Sequence, residues 1–359
     1  MAKRFNAIGL MSGTSADGVD AAMIETDGTR VFATGAFLTL PMPAALRQDV
    51  LALMRDPDRA EHDPAEDVEA RVTDLHAEAV RLLLAQAGPS AAVIDVVGFH
   101  GQTVLHRPEN CLTRQLGDGA RLARALALPV VNRFRHADVA AGGQGAPLVP
   151  LFHAALAHDL AGPVAVLNLG GVGNVTALDD GSILAFDTGP ANALIDDWVG
   201  RHTGAAYDAD GRFAGSGVVD AAALAELLDN SYFDRAPPKS LDRNAFSAAP
   251  VERLSLADGA ATLAAFTAAT VGLARAHLPR PPERWLVAGG GRHNPVIMQM
   301  LRAALGVPVD PVEAVGWNGD ALEAQAFGFL AVRSILGLPL SLPQTTGVPA
   351  PMPGGELHR

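Results

Sequence analysis

The stretch GLMSGTSADGVDAAMIET, Gly9 to Thr26, decides how this chain reads. Apolar residues flank a cluster of glycine, serine, threonine and aspartate. The pattern predicts a strand over residues 4–11, a polar loop from Ser12 to Gly18, and a second strand over 19–26. A loop of this composition gathers backbone N–H groups and hydroxyls, and anions bind where several of them converge. A plain hairpin turn draws on the same residues. A doubly wound dinucleotide fold is the main competitor, but its glycine loop leads from a strand straight into a helix. Here the loop leads from strand to strand.

Outward from this point, Asp27-Gly28 is a hairpin signal and residues 30–40 read as a third strand. Helical patterns follow at 44–55 and 65–87, the second with Val72, Leu75, Ala79, Leu82 and Leu83 at three- and four-residue spacing. AAVIDVVGFHG, from Ala91, reads as a buried strand, RLARALA as a short helix and PVVNRF as another strand. The second half repeats the plan. GPVAVLNLG is a strand, Gly170 to Asn174 a glycine loop, VTALD a strand, Asp180-Gly181 a turn and SILAFD a strand ending at Asp187. Helices ANALIDDWVGRH and ADGAATLAAFTAATVGLARAHL follow, then the strand ERWLVAGGG and the helix NPVIMQMLRAALG. Two such units imply an α/β protein built from a duplicated domain, with both loops turned toward a shared nucleotide cleft. The proline- and glycine-rich segment from Gly337 onward reads as a disordered tail.

Composition narrows the function. With 359 residues, 49% of them hydrophobic, the chain is long enough for about two cores. A formal charge of -12 argues against a nucleic-acid surface, which needs a basic stripe. A small soluble ligand fits better. The only lysines are Lys3 and Lys239, so backbone amides, arginine or a metal ion must neutralise any bound phosphate, and a Walker-type lysine is excluded. Cys111 is the single cysteine, which rules out an intrachain disulfide and a cysteine-built zinc site and suits a reducing cytoplasm. No apolar run is expected to reach the ~18 residues of a membrane span. A homodimer is the base-rate expectation for a soluble enzyme.

The segments GLMSGTSADGVD, HGQTVLHRP, DVAAGGQGAPLVP, NLGGVGNVT, FDTGPANALIDDW, PPKS and GGGRHNP together closely resemble the anhydro-N-acetylmuramic acid kinases, from about Gly9 to Arg333. That family belongs to the actin, sugar-kinase and heat-shock ATPase superfold. The resemblance implies two ribonuclease H-like domains, one from residues 1–134 plus about 336–359 and the other from 135–335. It also implies a reaction in which ATP and water convert 1,6-anhydro-N-acetylmuramic acid into N-acetylmuramic acid 6-phosphate, with magnesium, in cell-wall recycling. A non-kinase ATPase or regulator of the same superfold, a nucleotide-free glycoside hydrolase and a non-catalytic nucleotide-binding scaffold are the rival readings.

The same resemblance distributes roles. The loop Gly13, Thr14, Ser15, Ala16, Asp17, Gly18, Val19 and Asp20 would cradle ATP phosphates, with Asp17 or Asp20 helping to hold hydrated magnesium. Gly170, Gly171, Gly173 and Asn174 would touch the phosphates as a second loop, unless they only form a hairpin. Gly289, Gly290, Gly291 and Asn294 would wrap the adenosine, or serve as a generic strand-to-helix turn. Asp187 would be the catalytic base that accepts a proton from water attacking the anomeric carbon; its bland alternative is a helix N-cap. His100, Gln102, Thr103, Asn192 and Glu323 would face the sugar, and Arg135 would pair with its lactyl carboxylate. Two positions depart from the family pattern. Arg133 stands where an aspartate is usual, and Phe99 stands where a small residue precedes HGQT.

Overall fold

A computed structural model describes residues 3–88, 93–242 and 245–359. The first two residues of the strand read from Ala91, Ala91 and Ala92, therefore lie outside the described residues. The chain divides into two units, Met1–His158 with Ala321–Arg359, and Asp159–Asp320.

In the first unit, β1 (Phe5–Ser12), β2 (Gly18–Thr26) and β3 (Val31–Pro41) form an antiparallel meander. β4 (Val96–Arg107) lies parallel to β1, and β6 (Val130–Asn132) lies parallel to β4. β5 (Leu112–Leu116) folds back antiparallel on β4. In the second unit, β7 (Val164–Leu169), β8 (Val172–Asp179) and β9 (Ser182–Pro190) form the meander, with β10 (Arg284–Ala288) parallel to β7 and β11 (Val309–Pro311) parallel to β10. With the β5 arm and a C-terminal edge strand of the first sheet set aside, both sheets run third, second, first, fourth and then the next parallel strand, with the second strand reversed. Such a repeat of order and direction is what a duplicated unit produces.

Each sheet has its own core. Ile8, Leu10, Val97 and Phe99 meet Val72, Val80 and Leu83 of the helix Glu66–Ala87 in the first. In the second, Phe186, Trp285 and Val287 meet Trp198 and Phe266. Phe99 is fully buried and its ring lies 4.7 Å from His76, so this departure from the family pattern points into the core. The helix Leu322–Ile335 lies directly on β1 and β4, because a Cβ at Gly9 would stand 1.7 Å from the Ala324 carbonyl oxygen and one at Gly98 would stand 2.0 Å from that of Phe327. Two strand glycines thereby set the depth of that helix.

Several expectations need correction. The boundaries fall at 158/159 and 320/321, rather than at 134/135 and 335/336. The shift follows from the helix Leu322–Ile335 packing on β1, and from Asp138 accepting hydrogen bonds from Thr346 Oγ1 (2.6 Å) and from Ser341 Oγ. The segment after Gly337 is ordered. It forms a helical turn, Pro343–Thr346, and an edge strand, β12 (Glu356–His358), antiparallel to β6. Proline and glycine there shape turns within a hydrogen-bonded path; Ser334 Oγ, for example, donates to the Gly354 carbonyl at 2.6 Å. Finally, Leu256–His277 is long and apolar enough by composition to cross a membrane, with mean hydropathy 1.4. Its window is 61% buried within the protein, where it is the central core helix of the second unit.

Candidate active site

The first unit carries two groups of candidate residues. The loop after β1 turns tightly, with Ala16 N–H donating to the Gly13 carbonyl at 3.1 Å and Ala16 at φ 49°. Thr14, Ser15 and Asp17 are exposed at its tip, and Ser15 Oγ donates to Asp17 Oδ1 at 2.9 Å. Ala16 and Val19 differ from the sequence expectation, since both residues are fully buried in the core. Asp20 Oδ1 accepts a hydrogen bond from Thr39 Oγ1 across the strand pair at 2.5 Å.

Gln102 was expected at the sugar, but its side chain is buried and bonded into the base of this loop. Oε1 accepts from Ser12 Oγ at 2.6 Å, and Nε2 donates to the Gly13 carbonyl at 3.0 Å. Ser12 Oγ also lies 2.8 Å from the Gly18 carbonyl, so one side-chain pair joins both ends of the loop to β4. Thr103 Oγ1 accepts from Gln115 Nε2 at 3.4 Å.

The other group unites three distant motifs. His100 is buried, with Nδ1–H donating to the Gly101 carbonyl at 2.8 Å; Nε2 accepts from Arg135 Nε at 3.1 Å. Those two partners fix one neutral tautomer. Burial, reinforced by the neighbouring Arg135 charge, holds the His100 pKa well below its ordinary 6.5. Arg135 Nη1 donates one hydrogen to the Gly145 carbonyl at 2.6 Å, so a fork toward a carboxylate would use Nη2 with the second Nη1 hydrogen. Burial lowers the Arg135 pKa to about 10, where it remains a cation at neutral pH, while Glu323 and Asp138 favour its charge. Glu323 and Phe327 lie one helical turn apart on Leu322–Ile335, and the Phe327 ring packs 4.5 Å from that of His100. Protein around the Glu323 carboxyl raises its pKa and Arg135 draws it back, although the residue itself is open to solvent. His100 and Arg135 are directly bonded, and Glu323 lies on the helix whose Phe327 packs on His100, within reach of the Arg135 charge, a set able to meet both a carboxylate and sugar hydroxyls.

Behind Arg135, the Asp138 carboxylate accepts from Gly145 N–H at 2.6 Å and so holds the carbonyl that Arg135 uses. Asp138 also ties the Arg135 loop to the C-terminal segment through Ser341 and Thr346. Arg133 does not join this group. It is exposed at φ 56° and pairs with Glu356 of β12 at 3.3 Å.

In the second unit, Gly170-Gly171 is a tight turn whose carbonyls accept from the start of the helix Asn192–Thr203: Asn192 N–H reaches Gly170 at 2.9 Å and Ala191 N–H reaches Gly171 at 3.1 Å. Asn192 Nδ2 donates to the Leu169 carbonyl at 2.8 Å, so this side chain supports the turn. Gly289, at φ 74°, passes so close that a Cβ would lie 2.4 Å from Asn168 Oδ1, and one at Gly291 would lie 2.6 Å from Leu169 Cβ. Gly290 stands 3.8 Å from Asn192 Nδ2 by the same measure. The two glycine turns are therefore neighbours. Asn294 caps the helix Pro295–Leu305, with Oδ1 accepting from Val296 N–H at 3.0 Å and Ile297 N–H at 3.2 Å. Arg292, its side chain 3% exposed, braces this turn by donating to the Gly289 carbonyl and pairing with Glu313 and Asp320.

Asp187 sits inside β9 rather than at its end, since the strand continues to Pro190. Gly173 pairs with Gly189 and Asn174 with Asp187, so Thr188 is the extra residue of a bulge. Bulges re-aim adjoining side chains. The N-cap of the following helix is Ala191 with no side-chain cap, which removes the capping alternative for Asp187. Instead, Asp187 Oδ2 accepts from Leu241 N–H at 2.8 Å. Burial pushes its carboxyl up to about 7 against the lowering effect of that amide. A carboxyl titrating near neutral pH is suited to proton transfer. Leu241, which directly follows the PPKS segment Pro237–Ser240, was not among the expected site residues.

Among the described residues, no group of three or more His, Cys, Asp or Glu side chains is placed to hold a metal. Asp17 offers hard oxygen at an exposed loop tip, which matches magnesium that keeps most of its waters. Lys239 Nζ turns to the Tyr232 and Phe233 carbonyls at 3.1 and 3.2 Å, away from any phosphate role.

Residues 5–357 match the family described as anhydro-N-acetylmuramic acid kinase. The chain is 59% identical to the anhydro-N-acetylmuramic acid kinase of Rhodospirillum rubrum over 97% of this chain and 93% of that one. It is 59% identical to the Acidiphilium cryptum protein of the same name, over 99% of this chain and 98% of that one. The Rhizorhabdus wittichii protein of that name is 56% identical, with 98% of each chain covered. On this ground the chain belongs to the anhydro-N-acetylmuramic acid kinase family.

Proposed function

We propose that this protein is an ATP-dependent kinase that opens the anhydro bridge of 1,6-anhydro-N-acetylmuramic acid with water and phosphorylates the 6-oxygen, giving N-acetylmuramic acid 6-phosphate and ADP in cell-wall recycling. The names of its relatives supply the substrate. The observation that carries the mechanism is the half-buried Asp187 carboxyl, held by Leu241 N–H and raised to about 7.

Asp187 takes a proton from water as its oxygen bonds to the anomeric carbon. The bond from that carbon to the bridging 6-oxygen breaks, and the released oxygen bonds to the terminal phosphorus of ATP as ADP departs. One water is consumed and one proton remains with the base, so the step balances. Phosphoryl transfer asks for positioning and charge neutralisation more than for covalent help. The exposed hydroxyls of Thr14 and Ser15, and the Gly170-Gly171 and Gly289–Gly291 turns, are the groups assigned to ATP. Magnesium held by Asp17, with Asp20 nearby, would supply charge neutralisation on the phosphates. Arg135 binds the lactyl carboxylate and Glu323 accepts from sugar hydroxyls, while neutral His100 keeps the guanidinium plane fixed.

Product analysis in heavy-oxygen water tests the reading. With ATP and the anhydro sugar, the product gains one phosphate and one label at the anomeric oxygen. ATP turnover that ignores the sugar would instead favour a regulator of the same superfold, and bridge opening without ATP would favour a hydrolase.

A further inference from the structure

Asp187 is gripped by one stretch of chain, Tyr232–Leu241, which has neither helix nor strand of its own. Asp187 N–H donates to the Lys239 carbonyl at 3.0 Å, its carbonyl accepts from Tyr232 Oη at 2.6 Å, and its Oδ2 accepts from Leu241 N–H at 2.8 Å. A strap without regular structure needs something to fix its shape, and the buried side chain of Lys239 does so. Nζ draws in the carbonyls of Tyr232 (3.1 Å) and Phe233 (3.2 Å), with the Tyr232 ring centroid at 4.7 Å and that of Phe186 at 5.6 Å. Ring faces and carbonyl oxygens are what an ammonium withdrawn from water requires. From the turn after the core helix, His277 Nε2–H donates to the same Phe233 carbonyl at 2.8 Å and lies 3.3 Å from Nζ. Asp234 and Arg235 are the charged strap residues that act on the lysine, Asp234 favouring its charge and Arg235 opposing it. Tyr232 is the titratable group that faces Asp187.

We infer that Lys239 is a positioning residue for the Asp187 carboxyl: its ammonium closes the strap so that Leu241 N–H, the Lys239 carbonyl and the Tyr232 hydroxyl hold the acid in one orientation. The inference rests on the reading of Asp187 as the base. It assigns a purpose to the one interior lysine of a chain that has only one other.

Full-length Lys239→Met, which keeps the length of the side chain and removes its charge, tests this. The expected result is a kcat lower by roughly 10- to 100-fold with KM for sugar and ATP within about twofold, because misplacing a reacting group harms chemistry before binding. The acidic limb of kcat/KM also moves to higher pH, since the Leu241 amide that favours the ionised carboxylate is no longer held in place. Tyr232→Phe removes only the hydroxyl on the Asp187 carbonyl and keeps the ring. It should lower kcat by roughly threefold to tenfold at unchanged KM, and it decides the matter alone if the lysine variant does not fold. Unchanged kcat and pH limb in a folded variant, or a change confined to KM, overturns the inference. Asp187→Asn in the same assay separates the two ideas. If it keeps full turnover, the reading of the base fails; if it is inactive while both strap variants behave as wild type, only the role of Lys239 is lost.

Discussion

The two units share a strand order and differ in how they use it. In the first, the loop between strands one and two is long, carries hydroxyls and a carboxylate at its tip, and is fastened through side chains, Ser12 to Gln102. In the second, the matching loop is two glycines fastened through backbone, carbonyls to helix amides. The acids near these loops differ as well. Asp20 on the second strand is met by Thr39 of β3, an edge strand with a mostly exposed surface. Asp187 on the third strand is enclosed by a strap, and the core helix Leu256–Ala274 packs so closely that a Cβ at Gly189 would reach 2.7 Å from Thr270 Cβ. The same scaffold thus sets one acid against an edge strand and encloses the other beneath a strap.

That contrast can be broken at its strongest point first. Asp187→Asn should leave folding and ATP binding intact and lower kcat by roughly 10²- to 10⁴-fold, the usual worth of a general base, in steady-state assays. In the unmodified enzyme, kcat/KM should rise about tenfold per pH unit below about 7 and level off above it, because the raised carboxyl must lose its proton to act. The same shift has a sign for stability. A carboxyl raised from 3.8 binds its proton more tightly when folded, so its favourable contribution is present at low pH and is lost as pH climbs through about 7; Asp187→Asn should flatten that part of a denaturation-versus-pH curve.

Arg135→Lys comes next. It keeps charge but loses the fork and the His100 contact, and should raise KM for the anhydro sugar roughly 10- to 100-fold with little change for ATP. Gln102→Leu tests the side-chain fastening of the first loop. It removes the two bonds that tie Ser12 Oγ and the Gly13 carbonyl to β4, leaving them only their partners within the loop, and should weaken ATP binding by roughly tenfold in calorimetry. At the small end, Arg133→Asp exchanges an exposed attraction to Glu356 for repulsion, with a stability loss of at most about 1 kcal/mol by denaturant melt and unaltered kinetics.

Much of the fold could be read from residue order. Asp27-Gly28 and Asp180-Gly181 both turn as anticipated, Gly28 at φ 83° and Gly181 at φ 82°, and the helices at Ala44–Arg55 and Glu66–Ala87 fall where the apolar spacing puts them. Local chemistry decides such features, so local sequence reveals them. The site was legible only as separate motifs. His100, Arg135 and Glu323 lie far apart in the chain and meet because two glycines let a helix settle onto β1 and β4, a depth no periodicity encodes. The grip of Tyr232–Leu241 on Asp187 was hidden for a related reason: an irregular segment leaves no repeating pattern, and its partner lies more than forty residues away. The C-terminal segment misled because proline and glycine mark both disorder and tightly turned order; tertiary bonds such as Thr346 to Asp138 made the difference.

The scarcity of lysine gives the strap a built-in reporter. Reagents that acylate amines would find Lys3 at once, its side chain 70% accessible, whereas Lys239 is 5% accessible and reacts only when the strap lifts. The ratio of the two modification rates, read by peptide mass mapping, therefore measures how often Asp187 is released, with a reference site on the same molecule.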